Sequence, residues 1–190
     1  MTIRIVEEVV SVLPDYARIP IAFTVNSRFR VEPIAEGLGG LALIEETVVP
    51  YVKDYDAIPG EGPLHWRERW DTTHWGILSA FEASVRVGGA AIAWKTVGLT
   101  DQEMRDDVPV LWDLRVHPDR RGQGIGCQLF ARALEWSRFR QCSQLKVETQ
   151  NINVPACRFY ARQGCTLGAI NRYAYGPELD EAQMLWYRSL

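Results

Sequence analysis

Arg120-Arg121-Gly122-Gln123-Gly124-Ile125-Gly126 places three alternating glycines behind two arginines, a combination suited to gripping an anion. Glycine removes the Cβ that would keep a ligand off the backbone, so amide N–H groups at the start of a following helix can point at phosphate oxygens. Arginine adds full positive charge and a planar fork that fits phosphate. The spacing excludes two common nucleotide loops. No Gly-Lys-Ser/Thr follows to serve a triphosphate and its magnesium, and the glycines do not fit the dinucleotide fingerprint. A tight turn between strand and helix is the plainer use of the same residues.

Proton-moving side chains come next. Tyr160 has a phenolic proton to give, or it packs in the core with its hydroxyl on a backbone carbonyl. Glu148 follows Val147 in an apolar run, where a carboxylate is expected only if it is paired or faces a cleft; burial there would tune it toward a base. A solvated Glu148, or one that only attracts a cationic substrate, fits equally, and Asp113 is a second carboxylate for the role. Trp66, Trp70, Trp75, Trp94 and Trp112 are usual core residues, while a rim of indole and carboxylate would suit a cationic amine. Glu45, Glu46, Asp54, Asp56 and Glu61 make the region before Trp66 acidic.

These residues need strands and helices to hold them. Val110 to Val116 reads as a strand emptying into the glycine turn, and Gln123 to Phe139 as a helix with Leu129, Ala133 and Trp136 on one face, flanked by Ile125 and Phe130. Leu145 to Thr149 is strand-like. Pro155 suits the first turn of a helix carrying Ala156, Phe159 and Tyr160, which Gly164 ends. His74 to Glu82 and Ser84 to Thr96 read as neighbouring antiparallel strands, with Gly88-Gly89 permitting a bend or bulge. Leu99 to Asp107, with Asp101 as a cap, reads as a surface turn or short helix. Thr166 to Tyr175 and Ala182 to Arg188 are strand-like, separated by Gly176-Pro177. Ile19 to Val31 and Gly40 to Val49 each read as strands, and Ile58 to Pro63 as a mobile loop or a solvated turn.

Composition sets the outer bounds. A chain of 190 residues, 47% hydrophobic and 24% charged, suffices for one domain with a sizeable core. The net charge of −3 argues against a nucleic-acid binder, whose footprint would be a basic face. No apolar run reaches membrane-span length and the first residues are acidic, so no membrane partner and a cytosolic location are expected. Cys127, Cys142, Cys157 and Cys165 form no CxxC pair and have no neighbouring His cluster, so no metal is expected.

Arg121-Gly122-Gln123-Gly124-Ile125-Gly126 resembles motif A of the GCN5-related N-acetyltransferases (GNAT), and Asn153-x-x-Ala156-x-x-Phe159-Tyr160 with Gly164 beyond resembles motif B. The likeness is clear from about Val110 to Tyr187 and tightens toward the streptothricin acetyltransferases, through Glu148-Thr149-Gln150, Ala156-Cys157-Arg158-Phe159-Tyr160 and Tyr173-Ala174-Tyr175. It implies an α/β fold, with a mixed, mostly antiparallel central sheet flanked by helices and one splayed strand pair. It also implies N-terminal helices along one wall of the acceptor site. Acetyl-coenzyme A would be held by Leu114, Arg115 and Val116, by Arg121, Gly122, Gln123, Gly124, Ile125, Gly126 and Cys127, and by Asn153 and Tyr160.

Acetyl transfer from a thioester to an amine needs a neutral amine, donors for the developing oxyanion and a proton for the departing thiolate. The resemblance assigns the donors to the backbone of Leu114 to Val116, the acid to Tyr160 and the base to Glu148, and it tolerates having no protein base. The expected activity is acetylation of a primary amine on a small, cationic molecule, with a streptothricin-type antibiotic as one candidate; a homodimer is left open. A protein N-terminal or lysine acetyltransferase, a polyamine or amino-acid acetyltransferase, and a non-catalytic acyl-coenzyme A sensor remain alternatives.

Overall fold

The structure, a computed structural model, describes residues 2–99, 105–176 and 179–190. Strands β1 (Ile3–Glu8), β2 (Phe23–Pro33), β3 (Leu41–Lys53), β4 (Gly76–Glu82), β5 (Val85–Ala93), β6 (Val110–Val116), β7 (Gln144–Gln150), β8 (Thr166–Asn171) and β9 (Gln183–Ser189) alternate with helices α1 (Leu13–Tyr16), α2 (Trp66–Arg69), α3 (Ile125–Phe139) and α4 (Val154–Arg162). The described residues fall into two compact units. One comprises 1–22, 54–146 and 189–190, the other 23–53 and 147–188. The mixed α/β class with mostly antiparallel strands agrees with the sequence reading.

In the first unit, β1, β4, β5 and β6 form an antiparallel sheet in that order. The strands of its middle are apolar on both faces: Ile77, Leu78, Ala90, Ala91 and Ile92 are fully buried, as strands covered on both sides must be. α3 lays Ile125, Leu129, Phe130, Ala133 and Trp136 inward, the face anticipated. Gly89 is glycine because of close approach. A Cβ there would lie 2.3 Å from Cε2 of the buried Tyr16 ring. The expected irregularity is beside it, as a register shift between Ala80 and Phe81 where β4 meets β5.

The second unit contains the long β2–β3 hairpin, with β7, β9 and β8 in that order and β8 antiparallel to β9. α4 starts as the sequence asks. Asn153 caps it by accepting the Ala156 N–H at 3.2 Å, Pro155 sits in the first turn, and Gly164 follows its end at φ +78°.

Several boundaries differ from expectation. α3 starts at Ile125, since Gln123 and Gly124 still turn. β8 stops at Asn171, and Tyr173-Ala174-Tyr175 lies in the turn beyond it, where the Asn171 side chain accepts the Tyr173 N–H at 2.9 Å. The N-terminal helices implied by the resemblance are reduced to four-residue α1, and residues 23–53 form the hairpin that their β-branched, alternating pattern favours. β1 went unrecognised. The Leu99 to Asp107 turn or helix falls largely on 100–104, outside the described residues, as does Pro177. No helix among the described residues is long and apolar enough to cross a membrane.

Candidate functional site

In the first unit, β6 feeds a short 3-10 turn at Pro118–Arg120, and the chain then reverses through Gly122 at φ +76° and Gly124 at φ +81° before α3 begins. Positive φ of this kind strains any L side chain, which is why glycine stands at both places. The Cβ positions of both glycines meet nothing within 4 Å. The first helical bond runs from the Gln128 N–H to the Gly124 carbonyl, and the amides of Gly122, Gln123, Gly124, Ile125 and Gly126 donate to no acceptor among the described residues. Five consecutive open donors at the positive end of a 15-residue helix suit a phosphate group. Cys127 is exposed in the same first turn.

The two arginines part company. Arg120 pairs with Glu82 at 2.9 Å, so its charge is answered inside the protein. Arg121 rests only on neutral carbonyls, those of Val116 at 3.1 Å, Pro20 at 3.3 Å and Ala22 at 3.0 Å, and desolvation lowers its pKa. An anion at the loop would give it its first opposite charge. The loop and Arg121 therefore fit the diphosphate of a coenzyme A ester.

Arg115 is otherwise employed. Its guanidinium is 1% exposed, grips Asp113 at 2.8 and 2.7 Å and Asp56 at 2.7 and 3.2 Å, and donates to the Ile19 carbonyl at 3.0 Å. All five N–H groups are used. Tyr16, in contact with the same cation, donates its hydroxyl to Asp113 at 2.5 Å. Burial, then the Asp113 charge, raises the Tyr16 phenol well above its usual range, while the two carboxylates hold Arg115 firmly protonated. Asp113 is thus occupied on both oxygens and unavailable as a base. The side chain of Arg115 cannot reach a cofactor; only its backbone, with that of Leu114 and Val116, remains for that task. Residues 55–65 run through successive hydrogen-bonded turns, Ile58 N–H to the Tyr55 carbonyl, Glu61 to Ile58 and His65 to Gly62.

Trp66 and Trp75 are buried core residues, and Trp70 and Trp112 pack partly buried against them. Tyr16, Trp66, Trp75 and Trp112 form a chain of tilted ring contacts 5.6 to 6.1 Å apart, joined by Trp70 at 6.0 Å from Trp112. Trp75 donates to Thr96, and Trp94 donates to the Asp106 carbonyl while packing edge-on against Trp136. The acidic region is mostly neutralised: Glu61 pairs with Arg69, Glu45 with Arg158, and Glu46 with Arg28 and Arg30.

In the second unit, Tyr160 is buried on α4, its ring 5.1 Å from that of Phe159. Asn153 serves the helix, as described. Of the readings left open for Glu148, the solvated one holds: it is exposed. Its Oε1 accepts from the Tyr175 hydroxyl at 2.7 Å and its Oε2 from Gln183 Nε2 at 2.8 Å; Gln150 Nε2 donates to Tyr175 at 2.8 Å. Sequence reasoning missed Tyr16, Gln183 and this use of Tyr175. Their partners lie 27 to 97 residues away, beyond any local pattern.

The family described as the acetyltransferase (GNAT) family matches residues 42–165. Streptothricin acetyltransferase A of Bacillus subtilis is 36% identical over 40% of this chain and 44% of its own length. A streptothricin acetyltransferase of Escherichia coli is 35% identical over 52% of this chain and 59% of its own. These matches span about half the length of either relative. Among solved structures, a Bacillus anthracis protein in complex with acetyl coenzyme A aligns over 100% of this chain and 98% of its own, with a TM-score of 0.76 and 22% identity.

Proposed function

Because the chain belongs to the acetyltransferase (GNAT) family, we propose that it is an acetyl-coenzyme A-dependent N-acetyltransferase of a primary amine on a small cationic molecule. Streptothricin-type antibiotics head the acceptors to test, on the strength of the partial relatives. The observation that carries the reading is the run of open amides from Gly122 to Gly126 beside Arg121. These groups, with the Cys127 turn, would hold the diphosphate. Acetyl-coenzyme A supplies the activated thioester. Backbone donors of Leu114 to Val116 would stabilise the developing oxyanion, Tyr160 would return a proton to the leaving sulfur, and Glu148 would take one from the amine. We read all 190 residues as one working domain in the cytosol, acting on a small molecule.

Tyr160→Phe tests the acid. It removes one hydroxyl and leaves the ring, so coenzyme A binding should persist while kcat falls by about 10²–10⁴. Thiol release assayed with streptothricin, spermidine, an aminoglycoside and an N-terminal peptide reads both the activity and the acceptor class. A wild-type kcat in the variant returns Tyr160 to core packing. Preference for the peptide moves the chain among protein-directed enzymes, and binding without thiol release makes it a sensor.

A further inference from the structure

We propose that Tyr175 and Gln183 are positioning residues that hold Glu148 as the docking point for the ammonium group of the acceptor, a deepening that rests on the amine-acetylating reading above. The carboxylates on the strands of the second unit differ in their partners. Glu32, Glu45 and Glu46 each have an arginine. Glu148 alone among these described strand carboxylates has no cation. Glu36, in the hairpin turn, is also unpaired, yet it makes no hydrogen bond and is an ordinary solvated side chain.

Glu148 is held by two donors, with Gln150 behind one of them. Gln150 shares its face of β7, two residues on; Tyr175 comes from the turn after β8, and Gln183 opens β9. One donor sits on each carboxylate oxygen, and Gln150 orients the Tyr175 hydroxyl so that its proton points at Glu148. Both donors, and Gln150 behind Tyr175, are neutral. They fix the direction of the carboxylate without cancelling its charge, and a carboxylate with about four acceptor sites keeps two for a visitor. An exposed anion, fixed in direction and uncompensated, is complementary to a primary ammonium group. Glu45 and Glu46 on β3, by contrast, offer an approaching cation only charges already answered.

The test uses the full chain saturated with coenzyme A and titrated calorimetrically with spermidine and with streptothricin, beside steady-state kinetics. Glu148→Gln should weaken binding of these cations about tenfold and remove its sensitivity to ionic strength. Tyr175→Phe and Gln183→Leu should each raise the acceptor Kd about threefold to tenfold with coenzyme A affinity unaltered, and lower kcat as well, since Glu148 also takes the amine's proton. In the Glu148→Gln background the Tyr175→Phe change should have no further effect, since the group it positions is gone. A wild-type acceptor Kd in Tyr175→Phe, or an equal effect in both backgrounds, overturns the proposal. Failure of the catalytic reading looks different: spermidine would bind in a Glu148-dependent way with no thiol released.

Discussion

Asp113 and Glu148 look alike in sequence, each a carboxylate in an apolar strand, and the protein uses them in opposite ways. Asp113 is enclosed by a permanent cation and a phenol that together occupy both oxygens. Glu148 stands at the surface with neutral donors alone. Burial makes an unpaired charge costly, so Asp113 must be answered within the chain; exposure lets Glu148 keep its charge for something outside. What separates an enclosed carboxylate from an open one here is the partner behind it, not the strand around it.

The sharpest way to break this contrast is to remove both charges. Asp113→Ala leaves half of a buried guanidinium unanswered and should lower unfolding free energy by about 3–5 kcal/mol. Glu148→Gln should change it by no more than about 0.5 kcal/mol. Urea denaturation of the two variants decides, and equal losses would erase the distinction. The loop amides belong with Glu148 on the open side. Gly124→Val costs the fold about 1–2 kcal/mol of backbone strain at positive φ, because its Cβ meets no protein atom. Its larger effect should be a loss of coenzyme A affinity of about tenfold or more, read by calorimetry. Unchanged affinity in the folded variant would mean that those amides do not meet phosphate.

Asp107 refines the comparison at the small end, because it is partly exposed yet has a cation. Arg105 at 2.8 Å and Ser143 pull its carboxyl from 3.8 to about 2. A depressed carboxyl contributes stability above its unfolded pKa and loses it as pH falls through the folded value. Between about pH 4 and pH 2 the wild type should therefore lose a small increment that Asp107→Asn never had, with the two stability curves converging below that range. Parallel curves would mean that exposure alone governs whether a carboxylate is engaged.

Much of the framework around the candidate site is visible in the residues themselves. The apolar run Val110 to Val116 forms a strand with those limits, the glycines turn where positive φ was needed, and Asn153 with Pro155 opens α4. Such signals are local, set by backbone sterics and capping. The errors lie where tertiary partners decide. Nothing beside Glu148 in sequence announces Tyr175 or Gln183, and nothing beside Asp113 shows that Tyr16 and Asp56 will close around Arg115. The acidic stretch before Trp66 looked like bait for cations because its arginine partners come from β2, α4 and α2. The N-terminal hairpin was legible as two strands; the short helix beside it was harder to see, since four residues give no helical period.

The seating of Tyr16 against Gly89 reaches further than packing. Even alanine at position 89 would require a smaller ring at 16, and a residue small enough to make room would lack the hydroxyl that Asp113 accepts. The two positions, 73 places apart in sequence, are therefore sterically coupled, and Asp113 is coupled to them through the Tyr16 hydroxyl. A glycine with no functional group of its own thereby helps to hold the partner of a buried charge it never touches.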